Sequence, residues 1–286
     1  HGLYALAQAL RRESRLLVLT SPDNSPDRIA RLLQAEGLAG DFHMAVAENL
    51  LQPEERVLAD LNPDDAAGMR FADLNVVLLW RVTAATKPVR FGLMDSAFAQ
   101  RQPEKGLITK QEVRAVSLAR MQLRQDSVVW DIGAGSGSVG LEAARLCPDG
   151  HVWATEKNEL DHAIAGQNHA AFGVSNYSLF HGKAPEGLDT WPDPDAVFIG
   201  GSGGELAGLI AMILGRLRPN GSLVMNFVTL ENLATATATL QSMQEQGVSW
   251  DVLQLQAARS KPILHMHRMA AENPVWIVCA RKGEVQ

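Results

Sequence analysis

The chain reads as an α/β protein in two units. A small, incomplete unit comes first, and a doubly wound, mostly parallel sheet of seven strands with an antiparallel last strand follows. Three features carry this expectation. From residue 108 onward, short apolar, β-branched runs alternate with stretches of helical periodicity, the pattern of a parallel sheet with crossover helices. Residues 128–137 read V-V-W-D-I-G-A-G-S-G, a buried strand running into a glycine turn. The last two apolar runs, 250–256 and 275–280, have no convincing helix between them and should pair antiparallel.

Taken in order, residues 1–82 supply a strand at 16–19, a helix at 25–36 capped near Ser25 with Pro26 at its first position, a strand at 42–46 and a very apolar strand at 74–80. Such a β-α-β remnant has too few elements for a binding cleft, so it reads as a partial domain. Residues 83–107 carry Pro88, Gly92, Pro103 and Gly106 with little periodicity and read as a linker. The second domain, 108–286, opens with a helix at 111–123. Strands follow near 128–132, 152–155, 177–181, 195–199 and 222–227, each expected to lead into a helix.

Composition narrows the class. The chain has 286 residues, 46% of them hydrophobic, which suffices for one large or two modest cores. A formal charge of -6 provides no general field for nucleic acid. No apolar run approaches the ~20 residues of a membrane span, and no signal peptide is visible, so the expectation is a cytoplasmic protein. Cys147 and Cys279 are too few and too isolated for a disulfide framework and read as reduced, buried thiols. The chain starts at His1 rather than Met, as a fragment or trimmed chain would.

The glycine turn determines the ligand class. Gly133, Gly135 and Gly137 permit a sharp turn, and the helix beyond it presents unpaired N–H groups and roughly half a positive charge to a carboxylate or phosphate. Asp131 lies two residues before the first glycine, and Glu156 closes the next strand, where an acid accepts from a ribose diol. A second acid at this turn is awkward beside a pyrophosphate and useful beside an ammonium, which points to S-adenosyl-L-methionine. The D-x-G-x-G-x-G arrangement resembles motif I of the class I methyltransferases, whose fold is Rossmann-like with an antiparallel last strand. The alternative is an NAD(P)-dependent oxidoreductase that reads Gly135, Gly137 and Gly140 as G-x-G-x-x-G, although that register places Gly133 inside the strand. A non-catalytic, cofactor-binding half is a third reading. Ligands in open α/β sheets sit at the carboxyl ends of the strands, so the turn, Glu156, residues 181–184 and residues 200–204 should converge on one crevice.

Five motifs together carry a more specific resemblance: F-G-L-M-D-S-A-F (91–98), I-T-K-Q-E-V-R-A (108–115), D-I-G-A-G-S-G (131–137), H-G-K-A-P-E (181–186) and G-G-S-G-G-E-L (200–206). From about residue 88 to the end the chain resembles the decarboxylating precorrin methyltransferases of cobalamin biosynthesis, in their C-terminal, carbon-15-methylating module. Residues 1–82 resemble the last part of the tetrapyrrole methylase domain that precedes this module in the fused enzymes, so carbon-5 methylation is not expected here. The resemblance implies methyl transfer from S-adenosyl-L-methionine to carbon 15 of a precorrin, loss of carbon dioxide from the ring C acetate, and a homotetramer. It implies cofactor contacts at Thr109, at Asp131, at Gly133, Ala134, Gly135, Ser136 and Gly137, at Glu156, and at Ala184. Lys183 departs from the acid that many methyltransferases carry in G-D-A.

The resemblance implies a substrate that is a large polycarboxylate. Candidate contacts are Gly200, Gly201, Ser202 and Gly203 at the fourth strand tip, and Arg259, Lys261 and Arg268 in a basic loop, since arginine pairs bidentately with carboxylates. His265 and His267 in the same loop are the candidates for moving a proton during decarboxylation. If extended they share a face, but with no third ligand no metal is expected. Asn273-Pro274 reads as a turn.

Overall fold

The computed structural model describes residues 3–83, 91–101, 108–201 and 204–283. The chain divides into two compact units, His1–Pro88 and Val89–Gln286.

The first unit contains α1 (Leu3–Arg12), β1 (Arg15–Leu19), α2 (Pro26–Ala35), β2 (Phe42–Glu48), β3 (Arg56–Leu61), α3 (Pro63–Ala66) and β4 (Asn75–Arg81). Ser25 stands at the N-cap of α2 with Pro26 following, although the Ser25 hydroxyl turns to the Asp27 carboxylate and not to the backbone. Ile29, Leu33, Phe42, Met44, Val77 and Leu79 form the core. The sheet order is β1-β4-β2-β3 with every neighbouring pair antiparallel. The β-α-β reading is corrected in this respect: β4 inserts between β1 and β2. The sequence reading also missed β3, an edge strand whose residues are mostly exposed and carry no clean alternation.

In the second unit, α4 (Gln111–Met121) precedes β5 (Val128–Ile132), α5 (Ser138–Leu146), β6 (His151–Glu156), α6 (Glu159–Phe172), β7 (Tyr177–His181), β8 (Ala196–Ile199), α7 (Leu206–Arg216), β9 (Ser222–Phe227), α8 (Leu230–Ser242) and β10 (Val248–Leu255). The chain then forms β11 (Ala258–Ile263), β12 (Met266–Ala271) and β13 (Val275–Lys282). The seven-stranded sheet runs β10-β13-β9-β8-β5-β6-β7. Strands β7, β6, β5, β8 and β9 are mutually parallel, and β13 lies antiparallel between β9 and β10. Chain order reverses between β5 and β8, so the crevice at their carboxyl ends is the switch point where such sheets bind ligands.

Alternation along the strands divides the core into two layers. Trp130, Ile132, Val197, Ile199, Leu223 and Met225 pack with α7 and α8, while Val129, Phe198, Val224 and Ile277 pack with α4 and α5. Both cysteines are free and buried, and burial pushes the Cys147 thiol up to about 12.

Two sequence readings are corrected here. No α-helix follows β7; a 3-10 turn, Leu188–Thr190, stands in its place. Pro185, Pro192 and Pro194 deny the segment a helical run, and Trp191 packs against Trp130, Trp153 and Phe180 instead. The basic loop is a two-stranded hairpin, β11 against β12, turning at Leu264 and His265. Nearly all its side chains are exposed, and Pro262 sits within β11, so neither burial nor composition marked it as strand. No helix among the described residues is long and apolar enough to cross a membrane.

Candidate active site

β5 ends at Ile132, so the turn opens at Gly133 and the register that starts there is the one the backbone adopts. Gly133, Gly135 and Gly137 have φ of 72°, 56° and 76°, the left-handed region that favours glycine. The N–H groups of Gly133 and Ala134 both donate to the Thr155 carbonyl, at 2.9 and 3.0 Å, which stitches the turn to β6. The second glycine loop packs directly on the first. A Cβ on Gly133 would lie 2.7 Å from the Gly201 carbonyl oxygen, and the Gly200 N–H donates to Ile132 O at 2.9 Å.

These turns border a cleft of about 510 Å³ at the carboxyl edge of the sheet. Glu156 lines it at the end of β6. Its Oε2 accepts from Gly135 N at 2.9 Å and its Oε1 from Asn158 N at 2.8 Å. An ionised carboxylate has about four acceptor sites, so two remain after these bonds for a diol. Thr109, Gly133, Ala134, Gly135 and Ala184 also line the cleft, so the structure gathers six of the nine expected cofactor residues there.

The other three, Asp131, Ser136 and Gly137, lie behind the turn. Asp131 points to the same face as Val129, towards α5, where its Oδ2 accepts from Gly140 N at 2.9 Å. Its Oδ1, the Ser136 hydroxyl and the Tyr177 hydroxyl are buried without a hydrogen-bond partner among the described residues. Burial pushes the Asp131 carboxyl up to about 7, opposed by the Gly140 N–H and reinforced by the charge of Glu156. Asp131 thus stands outside the cleft lining and holds the start of α5 through Gly140. Burial likewise raises the Tyr177 phenol, with Asp131 and Glu156 adding to the effect.

A buried ion network frames the opposite wall. The Arg114 guanidinium is fully buried, donates to Glu142 at 2.7 Å and reaches Asp95 at 3.2 Å. Glu142 also accepts from Gly92 N and Leu93 N, which anchors the segment before α4. Arg259 grips Glu112 through both carboxylate oxygens and meets Asp95 at 3.1 Å. This grip holds the Glu112 carboxyl below the usual carboxylate range. Lys183 lines the cleft and pairs with Glu205 at 3.6 Å, so the departure from G-D-A places a cation at that end.

Of the expected substrate residues, Gly200 and Gly201 line the cleft, while Ser202 and Gly203 lie outside the described residues. Arg259, Lys261 and Arg268 stand on the hairpin beyond the cleft lining. Arg259 is already occupied by two carboxylates, and Lys261 sits directly across from Arg268. His265 is in the turn and His267 pairs across from Pro262 on β12, so the two do not share a strand face. No cluster of three metal-ligating side chains occurs among the described residues. Sequence reasoning missed Glu112, Asn226, Glu272 and Asn273, all of which line the cleft. A signal existed for the last two: an antiparallel final strand begins at the edge where parallel strands end, so the residues just before β13 had to lie there.

The strand order, the inserted antiparallel strand and the acid at the end of β6 define a class I methyltransferase fold. A solved SAM-dependent O-methyltransferase and a solved tRNA (m1A58) methyltransferase share it at low identity, a likeness that speaks to the fold alone. Residues 101–282 match the model of the precorrin methyltransferase domain, and the chain belongs to this family. It is 37% identical over 177 residues to a cobalt-precorrin-6B C(15)-methyltransferase (decarboxylating) of Salmonella typhimurium, covering 62% of this chain and 90% of the relative. A precorrin-6Y C(5,15)-methyltransferase [decarboxylating] of a Sinorhizobium species is 34% identical over 76% of this chain, which spans about half (52%) of that longer relative. The crystal structure of a precorrin-6y C5,15-methyltransferase from Geobacter metallireducens superposes with a TM-score of 0.63 at 41% identity, covering 68% of this chain and all (100%) of that one.

Proposed function

We propose that the second unit methylates carbon 15 of a precorrin with S-adenosyl-L-methionine and removes carbon dioxide from its ring C acetate, as a step in cobalamin biosynthesis. The observation that carries the cofactor assignment is Glu156, a cleft-lining carboxylate with acceptor sites left over, bonded to a glycine turn whose backbone lines the same cleft. The residues present fit the group: Glu156 reads the ribose diol, the Gly133–Gly135 backbone approaches the methionine end, and Ala184 borders the adenine. S-adenosyl-L-methionine, when bound, supplies an electrophilic methyl group on a sulfonium. The chain's contribution is to hold the two reactants in line and to exclude water, which suits a cleft with few catalytic side chains.

In this reading the substrate lies against Asn226, Leu255, Glu272 and Asn273, on the β9 and β13 side, with Gly200 and Gly201 leaving room for the macrocycle. Lys261 and Arg268, exposed on the hairpin, remain available to carboxylate arms, whereas Arg259 orders the wall. Residues 1–82 form a separate unit that resembles the end portion of a tetrapyrrole methylase domain, residues 83–107 are a linker, and the activity proposed here belongs to the second unit. All the cleft residues fall between Ile108 and Val275, which supports that division. The same reading makes the protein a homo-oligomer.

Incubation with precorrin-6B and isotopically labelled S-adenosyl-L-methionine tests the proposal. One methyl gained and one carbon dioxide lost are expected by mass; an unchanged tetrapyrrole overturns it. Glu156→Ala is expected to weaken S-adenosylhomocysteine binding by about 2 kcal/mol, roughly thirtyfold by calorimetry, since a hydrogen bond to a charged group is worth about that much.

A further inference from the structure

Two carboxylates line the cleft away from the nucleoside end, and the fold treats them differently. Glu112, in the first turn of α4, is held through both oxygens by Arg259. Glu272 stands at the base of the hairpin, where its N–H donates to Ala257 O at 2.8 Å and closes the hairpin stem. This backbone bond fixes its position. Among the described residues, no hydrogen bond or ion pair engages the Glu272 carboxylate. The lysines of the lining, Lys110, Lys157 and Lys183, form no ion pair with it among the described residues. The histidines singled out in the sequence stand at the far end of the same hairpin, away from the lining.

We infer that Glu272 is the acid that protonates the carbon left behind when carbon dioxide departs, an inference that rests on the decarboxylating function proposed above. In the step, the bond between an arm's methylene carbon and its carboxylate carbon breaks, carbon dioxide leaves, and the electron pair stays on the methylene, spread into the conjugated ring. That pair forms a C–H bond with the Glu272 carboxyl proton. The products are a ring methyl group and the Glu272 carboxylate, which regains its proton from water. Glu272, engaged by no side chain among the described residues, is free to exchange a proton with a bound substrate, while Glu112 stays ionised beside Arg259. Two carboxyls in one cleft thus divide into a proton donor and a fixed anion.

The experiment compares wild type, Glu272→Gln and Glu272→Asp with precorrin-6B and S-adenosyl-L-methionine, measuring carbon dioxide release in a single turnover across pH and S-adenosylhomocysteine affinity by calorimetry. Glu272→Gln is expected to slow carbon dioxide release by about a hundredfold, the usual scale of general acid catalysis, with affinity unchanged. Glu272→Asp should recover part of the rate, and the fall of the wild-type rate at high pH should be absent from Glu272→Gln. Release from Glu272→Gln at the wild-type rate overturns the inference alone, as does a loss of rate matched by a loss of cofactor affinity. A wild type that leaves the tetrapyrrole unchanged overturns the functional reading and this inference with it.

Discussion

Asp131 illustrates how much one side chain's direction matters. Its place in D-x-G-x-G-x-G was readable, but whether it faced ligand or helix depended on which side of β5 the helix α5 would cover. Strand alternation puts it with Val129 under α5, and its burial there has a measurable consequence. The folded-state value near 7 lies above the ordinary 3.8, so between these values the folded chain binds more protons than the unfolded one. The contribution of this group to stability is full below about pH 4 and is lost as pH rises to 7. In Asp131→Asn that titration is gone. Denaturant midpoints at pH 4, 5.5 and 8 should show the variant gaining on wild type as pH rises and then levelling; a constant difference would contradict the burial argument. Arg259 makes a similar point. Its guanidinium was a sound candidate for a substrate carboxylate, and only the folded chain shows that Glu112 and Asp95 take it first.

Glycine turns were the most legible elements, and their mutual packing the least. The spacing of Gly133, Gly135 and Gly137 announces a turn, yet nothing in it says that Gly201 will press against Gly133. An alanine at 133 meets both a left-handed backbone, costing about 1–2 kcal/mol, and overpacking worth about 1–3 kcal/mol. Gly133→Ala is therefore expected to destabilise the second unit by about 2–5 kcal/mol and to abolish detectable S-adenosylhomocysteine binding. At Gly201 a Cβ would meet nothing within 4 Å, so Gly201→Ala should stay within about 0.5 kcal/mol of wild type in chemical unfolding. Equal effects at the two positions would refute the packing between the loops. The elements that escaped the sequence reading share one property. The hairpin, β3 and the 3-10 turn after β7 bury little or are interrupted by proline, so they leave no hydrophobic period to read.

The two units have separate cores, Leu33 with Phe42 and Met44 in one, and the two layers about the seven-stranded sheet in the other. Every residue lining the cleft belongs to the second. An excised chain of residues 89–286 is accordingly expected to fold and to bind S-adenosylhomocysteine as tightly as the full chain, and residues 1–88 to bind none; calorimetry on both pieces checks this, and a lost affinity in the longer piece would show that the first unit completes the site. Local chemistry was enough to establish the parallel sheet, the antiparallel closing pair, the glycine turn with its partner acid Glu156, and the family, because periodicity and close-spaced motifs report on neighbours along the chain. Which face Asp131 takes, how Arg259 is neutralised, and that Glu272 enters the cleft were decided only on folding. Each depends on groups brought together from distant stretches of chain, and a contact of that kind leaves no spacing in the sequence from which to infer it.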